Sequence, residues 1–324
     1  MKKNRFWLMA ICIGFCGLLQ AQERVGKSPW GTEDEIGTLN MMTTASQLKA
    51  LQSTTGTRVY DLSVEYFIGM PSFNFFGDPA YQFWLTHTPQ GTVVDNPNGA
   101  GKAMNQKVSY TSDAFSMLTH AGTHIDALSH FGLNGEIYNG YKVNEQLGDK
   151  GWHKGGAEKI PPIISRAVLI DVAAFKGKST LDPNYMITVD DLKGALSKQQ
   201  VSIKKGDIVL IRTGQGAYFQ NASQYLNQFP GLSLAAAKWL AEDQQIMLLG
   251  ADNLGLEAFP SEEPGNWVPV HTYLLAQRGV SFIENLNLEE LAADSVYEFA
   301  FIATPLKLKG ASGAPLRPIA IPIR

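Results

Sequence analysis

The chain has six histidines in 324 residues, and three of them fall within eleven residues of the stretch "THAGTHIDALSHF". His120, His124, Asp126 and His130 all occupy even positions. On an extended backbone, residues of equal parity project to one face. On a helix His120 and His124 would also meet, but Asp126 would turn away, and Gly122-Thr123 is poor helix material. An extended or looped segment therefore gathers the group best. Two imidazoles and a carboxylate on one face suit Zn or Mn and leave positions open for water. A third imidazole suits proton transfer, because histidine ordinarily titrates at about pH 6.5. A lone histidine on an apolar face is most often structural, and the spacing alone leaves that reading open. Crowding three into one window favours a metal or catalytic site. Competing chemistries lack their residues: there is no G-x-S-x-G elbow, no P-loop and no H-E-x-x-H pair.

The N-terminus narrows the ligand chemistry. Lys2, Lys3 and Arg5 precede the apolar run Phe6–Leu19, and the small residue Ala21 marks an expected cut. Residues 1–21 thus read as a cleaved secretory signal, which leaves 22–324 as a periplasmic or secreted protein. The run is short for a membrane span, which takes about 20 apolar residues. Both cysteines, Cys12 and Cys16, lie in the signal, so a metal in the mature chain must be held by His, Asp and Glu. Without the three leader cations, 24 Lys and Arg face 30 Asp and Glu, a net charge of −6. Lacking basic blocks, such a surface suits neither nucleic acid nor an anionic membrane.

The histidines need a scaffold, and its elements are readable. "RAVLIDVA" (Arg166 to Ala173), "DIVLIRTG" (Asp207 to Gly214) and "IMLLGAD" (Ile246 to Asp252) are near-continuous apolar runs, as expected of strands covered on both faces. "RVYDLSVEYF" (Arg58 to Phe67) reads as a further strand, and the C-terminal "EFAFIATPLKLKGASGAPLRPIAIPI" returns to strand chemistry. Between them, "TVDDLKGALSKQ" begins at Thr188 with Asp191 at capping-box distance, and "SLAAAKWLAEDQ" begins at Ser233. The alternation predicts one α/β domain around a large mixed sheet. The aromatics Phe73, Phe75, Phe76, Tyr81, Phe83 and Trp84 are expected to line an aryl pocket, or else to serve as core or oligomer contact.

"HAGTHIDALSHF" resembles the H-x-G-T-H-x-D-x-P-x-H-F signature of the metal-dependent cyclase family, which includes bacterial kynurenine formamidases, isatin hydrolases and lactone hydrolases of a dienelactone type. The resemblance extends through "WGTEDEIGTLN", "DLSVEYFIGMPSF", "VHTYLLAQRGVSFIENLNLEEL" and "GASGAPLRPIA", from about Trp30 to the C-terminus. Leu128 departs from the signature, which has Pro there, and a looser turn before His130 is expected from that change.

The resemblance implies a swivelling β/β/α architecture and a homo-oligomer. It implies that His120, His124 and Asp126 hold a first metal, Zn or Mn. His271 and Glu284 would hold a second ion with the shared Asp126, and His130 would be the catalytic residue beside them. By themselves, His271 reads as a lone histidine before an apolar helix and Glu284 as a helix-cap acid. Gly313 and Arg317 lie in the closing turn, where turn geometry accounts for them as well as substrate contact does. The implied reaction is hydrolysis of a small-molecule carbonyl compound, a formamide, lactam or lactone. A metal-dependent lyase acting through an enolate, or a non-catalytic ligand-binding protein, stand as alternatives.

Overall fold

The computed structural model describes residues 23–55, 58–73, 77–227 and 229–323. The expected signal at 1–21 lies outside them, as do Phe75 and Phe76. A nine-stranded mixed sheet organises the chain. Its strands in chain order are β1 (Tyr60–Asp61), β2 (His124–Asp126), β3 (Ile163–Asp171), β4 (Ile208–Arg212), β5 (Leu248–Ala251), β6 (Phe282–Glu284), β7 (Glu298–Ala303), β8 (Gly313–Pro315) and β9 (Ile319–Pro322). They lie side by side in the order β1-β9-β7-β3-β4-β5-β6-β2-β8. β3 to β6 run parallel, and antiparallel strands flank them on both sides.

The central strands are continuously apolar because each face supplies a different core. Val168, Ile170, Val209 and Ile211 enter one cluster, while Ala167, Leu169, Ile208 and Leu210 enter the other. Alternation of period two thus serves two covered faces, as parallel strands require. The helix Val189–Gln199 covers the first face with Leu192, Ala195 and Leu196, and its capping box joins Thr188 and Asp191 as expected. Ser233 caps Leu234–Lys238, but the expected helix continues as a wider π-helical stretch, Trp239–Asp243. The result is the single-domain α/β architecture that the sequence predicts.

Two expectations need correction. Only Tyr60–Asp61 of the Arg58–Phe67 stretch pairs in the sheet. Beyond it, Leu62 N–H donates to Pro318 O and Val64 N–H to the Thr123 hydroxyl, so the extended chain is satisfied outside the ladder. The aromatic patch also divides. Phe83 and Trp84 lie exposed on a two-stranded arm built from Gln82–His87 and Ser112–Ser116, and of the described members only Phe73 lines the pocket described below.

Candidate metal centre

β2 lies between β6 and β8, with His124 opposite Glu284 and Asp126 opposite Gly313. Parity puts the His124 and Asp126 side chains on one face of β2, and direct cross-strand pairing adds Glu284 to it. His120 reaches the same face from the turn before β2. Its ring occupies the space over Gly313, where an added Cβ would come within 2.5 Å of the imidazole. Gly313 is therefore required by the site, beyond the turn geometry expected of it. His271 arrives from the opposite side, closing the short helix Pro269–His271 before the π-helical Thr272–Arg278.

Two triads result, and they share Asp126. His120, His124 and Asp126 form one; Asp126, His271 and Glu284 form the other; within each, the potential ligand atoms lie within 4.8 Å of one another. These are the two sets that the sequence resemblance implied. His87 and His153 belong to neither.

The imidazole tautomers are preset. His124 Nδ1 faces the Gly122 carbonyl at 2.8 Å, and a carbonyl only accepts, so in the neutral ring the proton is on Nδ1 and Nε2 keeps its lone pair. His271 Nδ1 donates to Glu257 Oε1 at 2.9 Å, which likewise aims Nε2 inward, 3.4 Å from Glu284 Oε1. His124 Nε2, Asp126 Oδ2 and Glu284 Oε1 are buried without hydrogen-bond partners. Buried polar atoms are normally satisfied. Three orphaned ligand atoms converging on two sites fit a divalent cation, and hard carboxylates with borderline imidazoles suit Zn or Mn. His120 holds Asp126 Oδ1 at 2.7 Å and Ser312 Oγ at 2.9 Å. To serve as a ligand it must exchange one of these bonds for the ion.

Protons show the same demand for positive charge. Burial would lower the His271 pKa, but the hydrogen bond to Glu257 and the negative charge of Glu284 beside it push it up to about 10. Burial would raise Asp126 and Glu284; instead the surrounding imidazoles hold both below the usual carboxylate range. A proton in this cluster occupies the role that a metal ion takes over on binding.

His130 differs. Its Nε2 lies 3.6 Å from Asp126 Oδ2, its ring stacks on His120 with centroids 3.7 Å apart, and Phe131 meets it edge-on at 4.4 Å. Burial, with the His120 ring beside it, pushes its pKa down to about 3 despite Asp126, so it is neutral at pH 7. The looser turn expected from Leu128 is not observed. Leu128 is buried in the core, His130 N–H donates to Ala127 O, and Ser129 N–H to Gly155 O. Side-chain packing and backbone hydrogen bonds hold the turn that Pro would otherwise stiffen.

A pocket of about 350 Å³ opens onto His120, His130, His271 and Glu284, walled by Phe73, Phe131, Phe259 and Trp267. Arg317 is absent from it and pairs instead with Asp61 at 2.6 Å on the surface. Sequence reasoning missed three supporting residues. Glu257 orients His271. Ser312 faces His120. Asn285 accepts from Tyr225 Oη and donates to Gly122 O, the carbonyl that fixes His124. Position next to the recognised residues was the only signal for Asn285 and Ser312.

Glu257→Ala should lower affinity for an ion at the Asp126–His271–Glu284 triad by about 10–100-fold, as loss of an outer-shell orienter does. Metal analysis at limiting free metal should then show loss of the second equivalent alone. Glu257→Gln should restore most of it, since the amide oxygen can still accept from His271.

The family model "Cyclase" matches residues 60–258. Cyclase-like protein 3 of Oryza sativa subsp. japonica is 26% identical over 268 residues, covering 82% of this chain and 80% of that protein. Isatin hydrolase of Roseibium aggregatum is 25% identical over 208 residues, 62% of this chain and 71% of its own. A crystal structure described as a novel cyclase superposes with a TM-score of 0.80 at 30% identity, covering 92% of this chain and all of that one.

Proposed function

The chain belongs to the cyclase family, and from that premise we propose that it is a metal-dependent hydrolase cleaving the acyl C–N or C–O bond of an aryl-bearing amide, lactam or lactone. The observation that carries the reading is the pair of buried triads sharing Asp126, with three orphaned ligand atoms at the base of an aromatic pocket. The similarity to an isatin hydrolase, whose name denotes cleavage of a cyclic amide, supports the C–N side of it.

His120, His124 and Asp126 would hold the first ion, and His271 and Glu284 the second together with Asp126. A divalent ion there supplies Lewis acidity, polarising the substrate carbonyl and lowering the pKa of a coordinated water from 15.7 to about 7. His130 acts beside it. Neutral and 24% exposed toward the pocket, the imidazole accepts a proton from the attacking water and returns it to the leaving nitrogen or oxygen. Phe131, Phe259 and Trp267 hold the aryl group and exclude bulk water. No cysteine follows Cys16, so the described residues offer no thiol nucleophile.

The direct test is a panel of formanilides, isatin, simple lactones and aliphatic amides offered to the metal-loaded protein. Turnover of the aryl amides or lactams supports the reading. Elimination products without incorporation of labelled water oxygen would favour the enolate lyase instead.

Export and assembly belong to the same proposal. Mass spectrometry of the protein from its native host should find an N-terminus near Gln22, and an intact Met1 would refute cleavage. The two-stranded arm exposes Phe83, Leu85 and Phe115 on one face by 43–57%. Apolar patches of this kind mark interaction surfaces, and we assign this one to a second copy of the chain. Light scattering should give a dimer or larger assembly, and the double substitution Phe83→Glu, Phe115→Glu should give a monomer. A monomeric wild type at micromolar concentration would contradict this.

A further inference from the structure

The pocket above the metal centre carries a charge pattern that the hydrolytic chemistry does not use. Asp78 lines it beside Phe73, Phe259 and Trp267, and no Lys or Arg lines it among the described residues. Asp78 is half-buried and has neither a hydrogen bond nor an ion pair among the described residues. Around it the rings are ordered. Phe259 and Trp267 stack with centroids 6.4 Å apart at 25°, and Phe131 meets Trp267 edge-on at 5.9 Å.

Aromatic faces carry negative quadrupole potential, and a cation within about 6 Å of a ring centroid is attracted to them. A carboxylate beside such faces adds a full charge of the same sign, in a partly desolvated cleft where attraction is screened less than in water. At that end of the pocket the same combination repels an anion and gives a neutral group without an N–H or O–H nothing beyond dispersion. We infer that the pocket selects aryl substrates bearing a cationic nitrogen, set against Asp78 and the Phe259–Trp267 rings, over neutral ones of the same shape. The inference rests on the hydrolase reading for the bond that is cut, whereas Asp78 and the rings concern only the charge at the far end of the substrate.

The test is titration calorimetry of the metal-loaded mature protein with two aryl probes. Benzyltrimethylammonium carries a permanent charge and can neither coordinate a metal nor be hydrolysed. Benzyl isopropyl ether is neutral and similar in shape. The cation should bind about tenfold more tightly, a ratio in keeping with one cation–π contact plus one partly exposed charge pair. Asp78→Asn should bring the two probes within about threefold of each other while leaving the ether's affinity unchanged. Trp267→Leu, which removes one of the two stacked rings, should weaken both. Equal binding of the probes by the wild type, no binding of either, or an unaltered ratio in Asp78→Asn would overturn the inference. The hydrolase reading fails separately. If the same sample prefers the cation yet cleaves no amide, lactam or lactone, only that reading is lost; if it cleaves them without the preference, only this inference is.

Discussion

His130→Asn should retain metal and fold while kcat falls by about 10²–10⁴-fold, the usual contribution of one general acid–base group. The geometry separates His130 from the ligands. It belongs to neither triad, its nearest approach to Asp126 is 3.6 Å, and its ring is held by stacking on His120 and by Phe131. Asn has a similar reach and polarity but no basic nitrogen, so it removes the proton acceptor and little else. kcat and kcat/KM should therefore fall together. The pH behaviour differs from what an ordinary histidine would give. With its pKa pushed down to about 3 by burial and the His120 ring, His130 is in the neutral, proton-accepting form throughout the physiological range. Its own limb should therefore lie on the acid side of neutrality. Release of metal by the variant, or a kcat within a few-fold of wild type, would show that His130 is a ligand or a bystander.

His124→Ala should abolish metal retention. His124 is fully buried, and its Nε2 lies 3.5 Å from Asp126 Oδ1 and 3.4 Å from Glu284 Oε2, between the two carboxylates. Removing an outer-shell partner already costs about 10–100-fold in metal affinity, and removing a ligand of a three-residue site should exceed that. The variant should also be less stable. Without the ion and the imidazole, Asp126 and Glu284 remain as buried carboxylates with reduced compensation, and breaking a buried pair costs about 3–5 kcal/mol. Elemental analysis and the thermal midpoint measure the two effects on one sample. Undiminished metal in His124→Ala would remove it from the ligand set.

Much of this site is legible in the sequence because its ligands are local. His120, His124, Asp126 and His130 share one short segment, and a strand's period of two gathers the middle pair without knowledge of the fold. The central strands β3, β4 and β5 are equally local, since burial on both faces leaves a continuous apolar run. His271 and Glu284 are different. Only the pairing of β6 with β2 puts Glu284 opposite His124, a long-range register that composition does not encode, so these two came through family resemblance. Glu257, Ser312 and Asn285 were missed because each acts through a hydrogen bond to a distant ligand or carbonyl. The Arg58–Phe67 stretch has strand composition, yet beyond Asp61 the N–H groups of Leu62 and Val64 find partners outside the ladder, and propensity gave way to tertiary context. The aromatic cluster after Met70 left pocket, core and contact surface open, because composition does not tell them apart. Among its described members Phe73 lines the pocket while Phe83 and Trp84 lie on the arm, and Phe131, Phe259 and Trp267, from elsewhere in the chain, complete the pocket walls.

The most direct measurement is a metal titration of hydrolysis. The mature protein is stripped with a chelator, its residual metal is quantified, and the rate of formanilide or isatin cleavage is followed as Zn or Mn is added back. The stripped protein should be inactive, and the rate should rise with added metal and saturate at one or two equivalents per chain. Cleavage at the full rate by protein shown to be free of metal would contradict the assignment of the two triads as the hydrolytic centre.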